Sequence, residues 1–320
     1  MLRRSSPIYI SGHRGLVGSA VTRALTARGY TNLITRSRAE LDLTNQAAVH
    51  DFFAAAQPEL VFLAAARVGG IMANSTYKAD FIYDNLVIAS NVIHAAYEHG
   101  TAKLINLGSS CIYPKLAPQP MKEEHLLTGP LEPTNEPYAV AKIAALKLCR
   151  YFHEQYRCNF ISAMPTNLYG PGDNFDLETS HVLAALIRKI HDAKGSGGPV
   201  PLWGDGSPLR EFLHVDDLAD GLTFLAERVD AADIHGKVAD LFVNVGSEQE
   251  ISIRELALLI AEVEGYSGEF HWDTSKPNGT PRKLMDSSLI HSLGWKPRIT
   301  LRDGIRTTYE WYLRTGADGG

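Results

Sequence analysis

Tyr138-Ala139-Val140-Ala141-Lys142 sets a phenol and an ammonium four residues apart, so on a helix the two share one face. An ammonium beside a phenol favours the phenolate and lowers its pKa. A tyrosine tuned in that way can pass a proton to a carbonyl oxygen as hydride arrives at the carbon. The pair alone is common by chance. It gains weight from Gly108-Ser109-Ser110, which follows the run Lys103–Leu107 and would put a hydroxyl at a strand end, the edge where open α/β sheets bind ligands. A third patch, Gly12-His13-Arg14-Gly15-Leu16-Val17-Gly18, carries glycine at every third position. Gly12 permits a tight turn, Gly15 lets backbone approach a pyrophosphate, and Gly18 lets a helix pack on a strand with its N-terminus facing the anion. Glycine loop, serine at a strand end and Tyr-x-x-x-Lys, in this order, point to a nicotinamide-dependent reaction at a carbonyl.

The choice of nicotinamide is read from the end of the second expected strand, Asn32–Thr35. An acidic residue there accepts from a ribose 2′-OH, whereas a guanidinium suits a 2′-phosphate. The chain continues Arg36-Ser37-Arg38 with no carboxylate before Glu40, which favours NADP. Arg14 can add a second guanidinium near the same phosphate. The plainer reading of Arg36 and Arg38 is two solvated surface charges.

These groups need a scaffold. Short apolar runs alternate with segments of helical periodicity, the pattern of βαβ units around a parallel sheet. Expected strands are Ile8–Ile10, Asn32–Thr35, Leu60–Leu63, Lys103–Leu107 and Phe160–Ala163, with helices at Leu16–Arg28, Asn85–Glu98 and Tyr138–Tyr156. The fold class is therefore α/β, a Rossmann-type doubly wound parallel sheet. After about Pro171 the texture turns rich in Gly and Pro (194–201, 203–208, 276–281) around isolated helices such as Ser252–Glu264. We expect residues 1–170 to bind the dinucleotide. Residues 171–320 should form a smaller, mainly substrate-binding region, with some segments returning to the sheet and a frayed tail from Thr315.

With 320 residues, 45% hydrophobic, the chain can bury a large core. A net charge of −5 disfavours nucleic acid as a partner, because no global basic field exists to displace counterions from phosphates. No apolar run is long enough for a signal peptide or a spanning helix, so no membrane partner and a cytoplasmic location are expected. Three cysteines, Cys111, Cys149 and Cys158, are too few for a disulfide framework and lack zinc-type spacing, so no metal is expected.

The combination resembles the extended short-chain dehydrogenase/reductases over nearly the whole chain, beginning with the G-x-x-G-x-x-G spacing. Gly12-His13-Arg14-Gly15, Ala65-Ala66-Arg67-Val68-Gly69-Gly70-Ile71, Gly108-Ser109-Ser110-Cys111-Ile112-Tyr113-Pro114, Pro165-Thr166-Asn167-Leu168-Tyr169-Gly170-Pro171 and Gly279-Thr280-Pro281-Arg282-Lys283 narrow the resemblance to the GDP-L-fucose synthase family. That resemblance implies a homodimer that converts GDP-4-keto-6-deoxy-D-mannose to GDP-L-fucose, epimerising C3 and C5 and then reducing C4 with NADPH. It implies Ser109, Tyr138 and Lys142 for reduction and Cys111 with His181 as the acid/base pair for epimerisation. A thiolate is a competent base when cations lower its pKa, and a histidine can donate near neutral pH. It further implies NADP contacts from Gly12, His13, Arg14, Gly15, Leu16, Val17, Gly18, Arg36, Asp42 (near the adenine), Leu107, Gly108, Lys142, Pro165, Asn167, Leu168 and His181. Lys189, Trp203, Arg210, Asn278 and Lys283 match positions that meet GDP or the sugar. The family often has aspartate where this chain has Asn278, and some members have arginine at Lys189.

Without the resemblance, Cys111 reads as an inert packed thiol and His181 as a helix-terminal histidine, while Cys149 and Cys158 are structural on either view. Two other nucleotide-sugar activities compete on the same scaffold. A 4,6-dehydratase would usually show an acidic pair after the serine strand, where this chain has Ser110-Cys111-Ile112. A 4-epimerase retains NAD throughout its cycle, which fits badly with Arg36. A non-catalytic NADP-binding regulator would have little reason to keep Ser109, Tyr138, Lys142, Cys111 and His181 together.

Overall fold

The computed structural model describes residues 2–69, 74, 76–276 and 278–316. Gly70 and Ile71 of the expected motif, and residues 317–320 of the expected tail, lie outside the described residues. The first half runs β1 (Ile8–Ser11), α1 (Leu16–Ala27), β2 (Leu33–Ile34), α2 (Gln46–Ala56), β3 (Leu60–Leu63), α3 (Lys78–Glu98), β4 (Lys103–Leu107), α4 (Glu136–Tyr156) and β5 (Phe160–Pro165). The second half continues with β6 (Asn167–Tyr169), α5 (Val182–Ser196), β7 (Val200–Trp203), β8 (Leu209–His214), α6 (Val215–Arg228), β9 (Phe242–Val245), β10 (Glu250–Ser252), α7 (Ile253–Glu264), β11 (Phe270–Asp273), β12 (Arg282–Lys283) and α8 (Leu301–Thr315).

Six parallel strands form the main sheet in the order β2-β1-β3-β4-β5-β9. Successive side chains of a strand point to opposite faces, so an apolar run with no polar alternation is buried on both sides. Ile8 and Ile10 join Leu60, Phe62 and Ile161 in a core under α1 and α6, while Tyr9, Val61 and Phe160 face a second core under α2, α3 and α4. The chain steps from β1 outward to β2 and returns to the far side of β1 at β3. That reversal opens a crevice at the carboxyl ends of β1 and β3, beside the glycine loop.

Strand β2 is shorter than the periodicity suggests, because it is the half-buried edge of the sheet with one neighbour. Helix α3 starts at Lys78, seven residues ahead of the expected Asn85. Its first turns carry Asp80 and Asp84, whose carboxylates meet the Arg67 guanidinium at 3.2 and 2.8 Å. That ionic anchor is invisible to apolar periodicity. Strand β9 and helix α6, both late in the chain, complete the main sheet and its cover. The remaining late elements form a second layer, in which β8 pairs with β10, β12 and β6, and a core gathers under α5, α7 and α8. Among the described residues no helix is long and apolar enough to cross a membrane.

Candidate functional site

At the dinucleotide end, two of the three glycines are demanded by the protein's own backbone. Gly12 has φ +71°, and a Cβ there would sit 2.9 Å from the Ala65 backbone. A Cβ on Gly18 would sit 2.1 Å from the Gly12 carbonyl oxygen, so only glycine lets α1 lie this close to the turn. Gly15 differs: its nearest neighbour would be 3.5 Å away and it is exposed. Gly15 caps α1 without a side chain, and the first turn, with Leu16 and Val17, holds no acidic residue. The N–H groups of that turn therefore have neither a capping side chain nor an acidic residue of their own turn, a setting suited to a pyrophosphate. His13 is half-buried in the loop, and its Nδ1 has no hydrogen-bond partner.

Arg14 and Arg36 are both exposed, and both act on one carboxylate. Glu40 is held below its ordinary pKa first by the N–H and hydroxyl of Ser37, then by these two guanidiniums. The two cations thus converge at the end of β2, where Arg36 also donates to the Thr35 carbonyl at 2.8 Å and lies 5.5 Å over the Phe52 ring. Asp42 has one carboxylate oxygen engaged by the Thr44 N–H and hydroxyl, at 3.0 and 2.8 Å.

The chemistry sits at the end of β4. Ser109 opens a single helical turn over Ser110–Ile112, and its Oγ accepts the Cys111 N–H at 3.4 Å. A Cβ on Gly108 would fall 2.0 Å from the Met164 sulfur, so any side chain there would require the Met164 thioether to move. Helix α4 brings Tyr138 and Lys142 alongside. Lys142 donates to the Leu107 carbonyl at 2.7 Å, and its Nζ lies 5.7 Å from the Tyr138 ring centroid. Burial dominates the titration of all three groups. It lowers the Lys142 ammonium to about 8, with Cys111 pulling the other way. It pushes the Tyr138 phenol well up, and Cys111 adds to that. The expected lowering by lysine is absent: Lys142 points its ammonium at the Leu107 carbonyl, and burial sets the direction of the Tyr138 shift. The Cys111 thiol is likewise raised by burial, against a Ser109 hydrogen bond and the ammoniums of Lys283 and Lys142.

His181 is the N-cap residue of α5, where its side chain makes no capping bond. It is open to cleft water yet crowded by protein, and this crowding, then the Lys283 charge, lowers its pKa. Lys283 lies on β12 in register with Arg210 of β8, and burial lowers it, opposed by Cys111. The structure therefore gathers Cys111, Tyr138, Lys142, Lys283, Arg210 and His181 into one electrostatic neighbourhood. Lys189, Trp203 and Asn278 form a second group farther along the substrate layer. Lys189 donates to the Pro201 carbonyl at 3.2 Å, Trp203 is 69% exposed with Lys276 Nζ 5.8 Å over its ring, and Asn278 Oδ1 accepts the Asp205 N–H at 2.9 Å. Pro165 ends β5, and Asn167 and Leu168 open β6, with Asn167 donating to the Glu211 carbonyl at 2.8 Å. Cys149 is buried and Cys158 half-buried, both as free thiols.

Sequence reasoning missed Glu211. Its carboxylate is fully buried on β8 and accepts the N–H groups of Glu248 and Met285 at 2.7 and 3.0 Å, so it ties the β9–β10 turn to the segment that follows Lys283. A glutamate inside Phe212-Leu213 apolar context was the available signal.

Comparison with known proteins bears on this site as a whole. Residues 8–246 match the NAD dependent epimerase/dehydratase family. The chain is 58% identical over 315 residues to GDP-L-fucose synthase 1 of Arabidopsis thaliana, covering 98% of this chain and 95% of that protein. It is 53% identical over 308 residues to GDP-L-fucose synthase of Escherichia coli (strain K12), covering 96% of each. Among solved structures, a GDP-L-fucose synthetase from Naegleria fowleri bound to NADP superposes with a TM-score of 0.87 at 28% identity, covering 98% of this chain and 96% of that one.

Proposed function

The chain belongs to the NAD dependent epimerase/dehydratase family and, within it, to the GDP-L-fucose synthases, and from that membership we propose how its residues divide the work. It is an NADP-dependent enzyme that converts GDP-4-keto-6-deoxy-D-mannose to GDP-L-fucose, by epimerising C3 and C5 and reducing the C4 ketone. The residues fit the cofactor. The uncapped first turn of α1 and the unobstructed Gly15 suit the pyrophosphate, and Arg14 with Arg36 suits the 2′-phosphate. Asp42 borders the adenine side. Leu107, Gly108, Pro165, Asn167 and Leu168 line the crevice toward the nicotinamide, which when bound supplies the hydride for C4.

The observation that carries the division of labour is the joint placement of Cys111, Tyr138, Lys142 and Lys283. Protons at C3 and C5 flank the ketone, so each can leave as an enolate forms. Cys111 removes them as its thiolate, and the Ser109 hydrogen bond with the ammoniums of Lys283 and Lys142 opposes, without cancelling, the burial that raises its thiol. His181 returns protons from the opposite face. Tyr138 then protonates the C4 oxygen, while Lys142 and Ser109 hold that oxygen and the ribose in place. Arg210 and Lys189 meet the diphosphate, Trp203 offers an exposed ring for stacking, and Asn278 orders the loop beside it.

Two variants separate these roles. Cys111→Ser substitutes a hydroxyl that stays protonated near neutral pH, so exchange of the C3 and C5 hydrogens with deuterated water should collapse while ketone reduction persists. Tyr138→Phe should keep exchange and lose NADPH consumption. Exchange at the parent rate in Cys111→Ser would remove the thiol from the mechanism.

We also assign a homodimer to the enzyme, supported by large side chains left exposed on adjacent helices, Tyr83 of α3 and Val140, Tyr151 and Tyr156 of α4. A monomer by sedimentation at micromolar concentration would refute it. The free thiols and the reliance on NADPH and a sugar nucleotide support a cytoplasmic site of action, and the net charge of −5 argues against nucleic acid as a partner.

A further inference from the structure

The active-site thiol and the cation facing it come from segments far apart in sequence, and one buried amide joins both. Asn244, on edge strand β9, is 0% exposed. Its Oδ1 accepts the Tyr113 hydroxyl at 2.6 Å, and Tyr113 stands two residues after Cys111. Its Nδ2 donates to the carbonyls of Met121 and Asp286, at 3.0 and 3.1 Å. Its own N–H donates to Glu123 at 2.9 Å. Met121 and Met285 are bridged: the Met121 N–H donates to the Leu284 carbonyl at 2.8 Å, and the Asp286 N–H to the Met121 carbonyl at 2.9 Å. Lys283 immediately precedes that bridge.

Every polar atom of the Asn244 side chain is therefore spent on the Cys111 loop, on the Lys283 segment or on Met121, which is bridged to that segment. An amide offers one acceptor and two donors from a rigid plane, so the two segments hang from one fixed point of the sheet. Most buried amides merely satisfy local backbone. This one ties the residue two after Cys111 to the segment just after Lys283, and the Lys283 ammonium is one of the charges that favour the thiolate.

We propose that Asn244, acting through the Tyr113 hydroxyl, is a positioning residue for epimerisation that sets the placement of Cys111 against Lys283. Tyr138 and Lys142 ride on α4 and make none of these hydrogen bonds, and Ser109 reaches the network only through the Cys111 N–H, so hydride chemistry at C4 should suffer far less than epimerisation. The proposal rests on Cys111 being the base.

The test uses Tyr113→Phe in the full-length enzyme, which keeps the ring and removes one hydroxyl, with Asn244→Ala as the harsher companion. Epimerisation is read as solvent exchange at C3 and C5. Hydride transfer is read in reverse, as oxidation of GDP-L-fucose by NADP⁺. We expect Tyr113→Phe to slow exchange roughly tenfold, in line with the cost of a small misplacement of reacting groups, and to move its pH profile to higher pH. Reverse hydride transfer should lose far less than exchange does. Equal losses in both reactions, or no loss in either, would overturn the positioning role. Cys111→Ser is run alongside: parent-level exchange there would take away the base assignment. Collapse there with an unselective Tyr113→Phe would overturn only the role of Asn244.

Discussion

Gly15 and Gly18 lie three residues apart in the same loop, and the structure assigns them opposite liabilities. Gly18→Ala places a methyl 2.1 Å from the Gly12 carbonyl oxygen, 2.6 Å from its carbon and 2.8 Å from the His13 Cα. All three are backbone atoms, so the loop and α1 must separate. Overpacking of this kind costs about 1–3 kcal/mol, against which alanine regains about 0.8–1.0 kcal/mol of helix propensity. Because all three atoms are backbone, the overpacking belongs at the upper end of its range, so the net loss of up to about 2 kcal/mol should lower Tm by up to about 3 °C in a chain of this size. Gly15→Ala meets nothing closer than 3.5 Å, and its φ of −78° and ψ of 170° are open to any residue. A weaker N-cap costs a fraction of a kcal/mol, offset by about 0.4–1 kcal/mol from a less flexible unfolded chain. Its Tm should stay near the parent value. The methyl instead faces the position of the pyrophosphate, so NADPH affinity should fall roughly tenfold. Thermal melts without cofactor and NADPH titration by fluorescence measure the two effects separately. If Gly15→Ala binds NADPH as the parent does, the backbone at Gly15 does not approach the pyrophosphate. If Gly18→Ala melts at the parent temperature, the close contact is relaxed at no cost and the packing argument fails.

Two further outcomes follow from charge. Arg36→Ala should weaken NADPH by about 1.5–3 kcal/mol, roughly 10- to 150-fold, and leave NADH nearly unaffected; equal use of both cofactors by the parent enzyme would dismiss this. Glu264, 3% exposed at the end of α7 with neither carboxylate oxygen hydrogen-bonded, is pushed by burial from an ordinary 4.5 up to about 9, with Lys194 opposing. Between those two values the folded chain keeps a proton that the unfolded chain has released. Stability should therefore fall as pH rises across that window, by at most about 1.4 kcal/mol per unit. Glu264→Gln should flatten the dependence of Tm on pH between 6 and 9, and a parent-like slope in the variant would show the carboxyl to be ionised already.

Local signals carried much of this protein. The glycine loop, the serine at the end of Lys103–Leu107 and the Tyr-x-x-x-Lys pair are each confined to one turn of chain. Their residue types and spacing alone therefore implied a dinucleotide fold and carbonyl chemistry. The five apolar runs were legible as strands because burial on both faces removes polar alternation, whereas the early start of α3 was not, since it depends on Arg67 meeting Asp80 and Asp84. Titration was beyond the sequence for a similar reason. Spacing put Lys142 beside Tyr138, but only the fold showed that burial leaves the phenol raised, with no lowering by the ammonium. Glu211 and Asn244 carry no motif at all. Their meaning lies in hydrogen bonds to Glu248 and Met285, and to Tyr113, Met121 and Asp286, partners up to 131 residues away. Residue type and local periodicity encode what a segment does by itself; which segments share a buried amide or carboxylate is decided when the sheet and the substrate layer pack together.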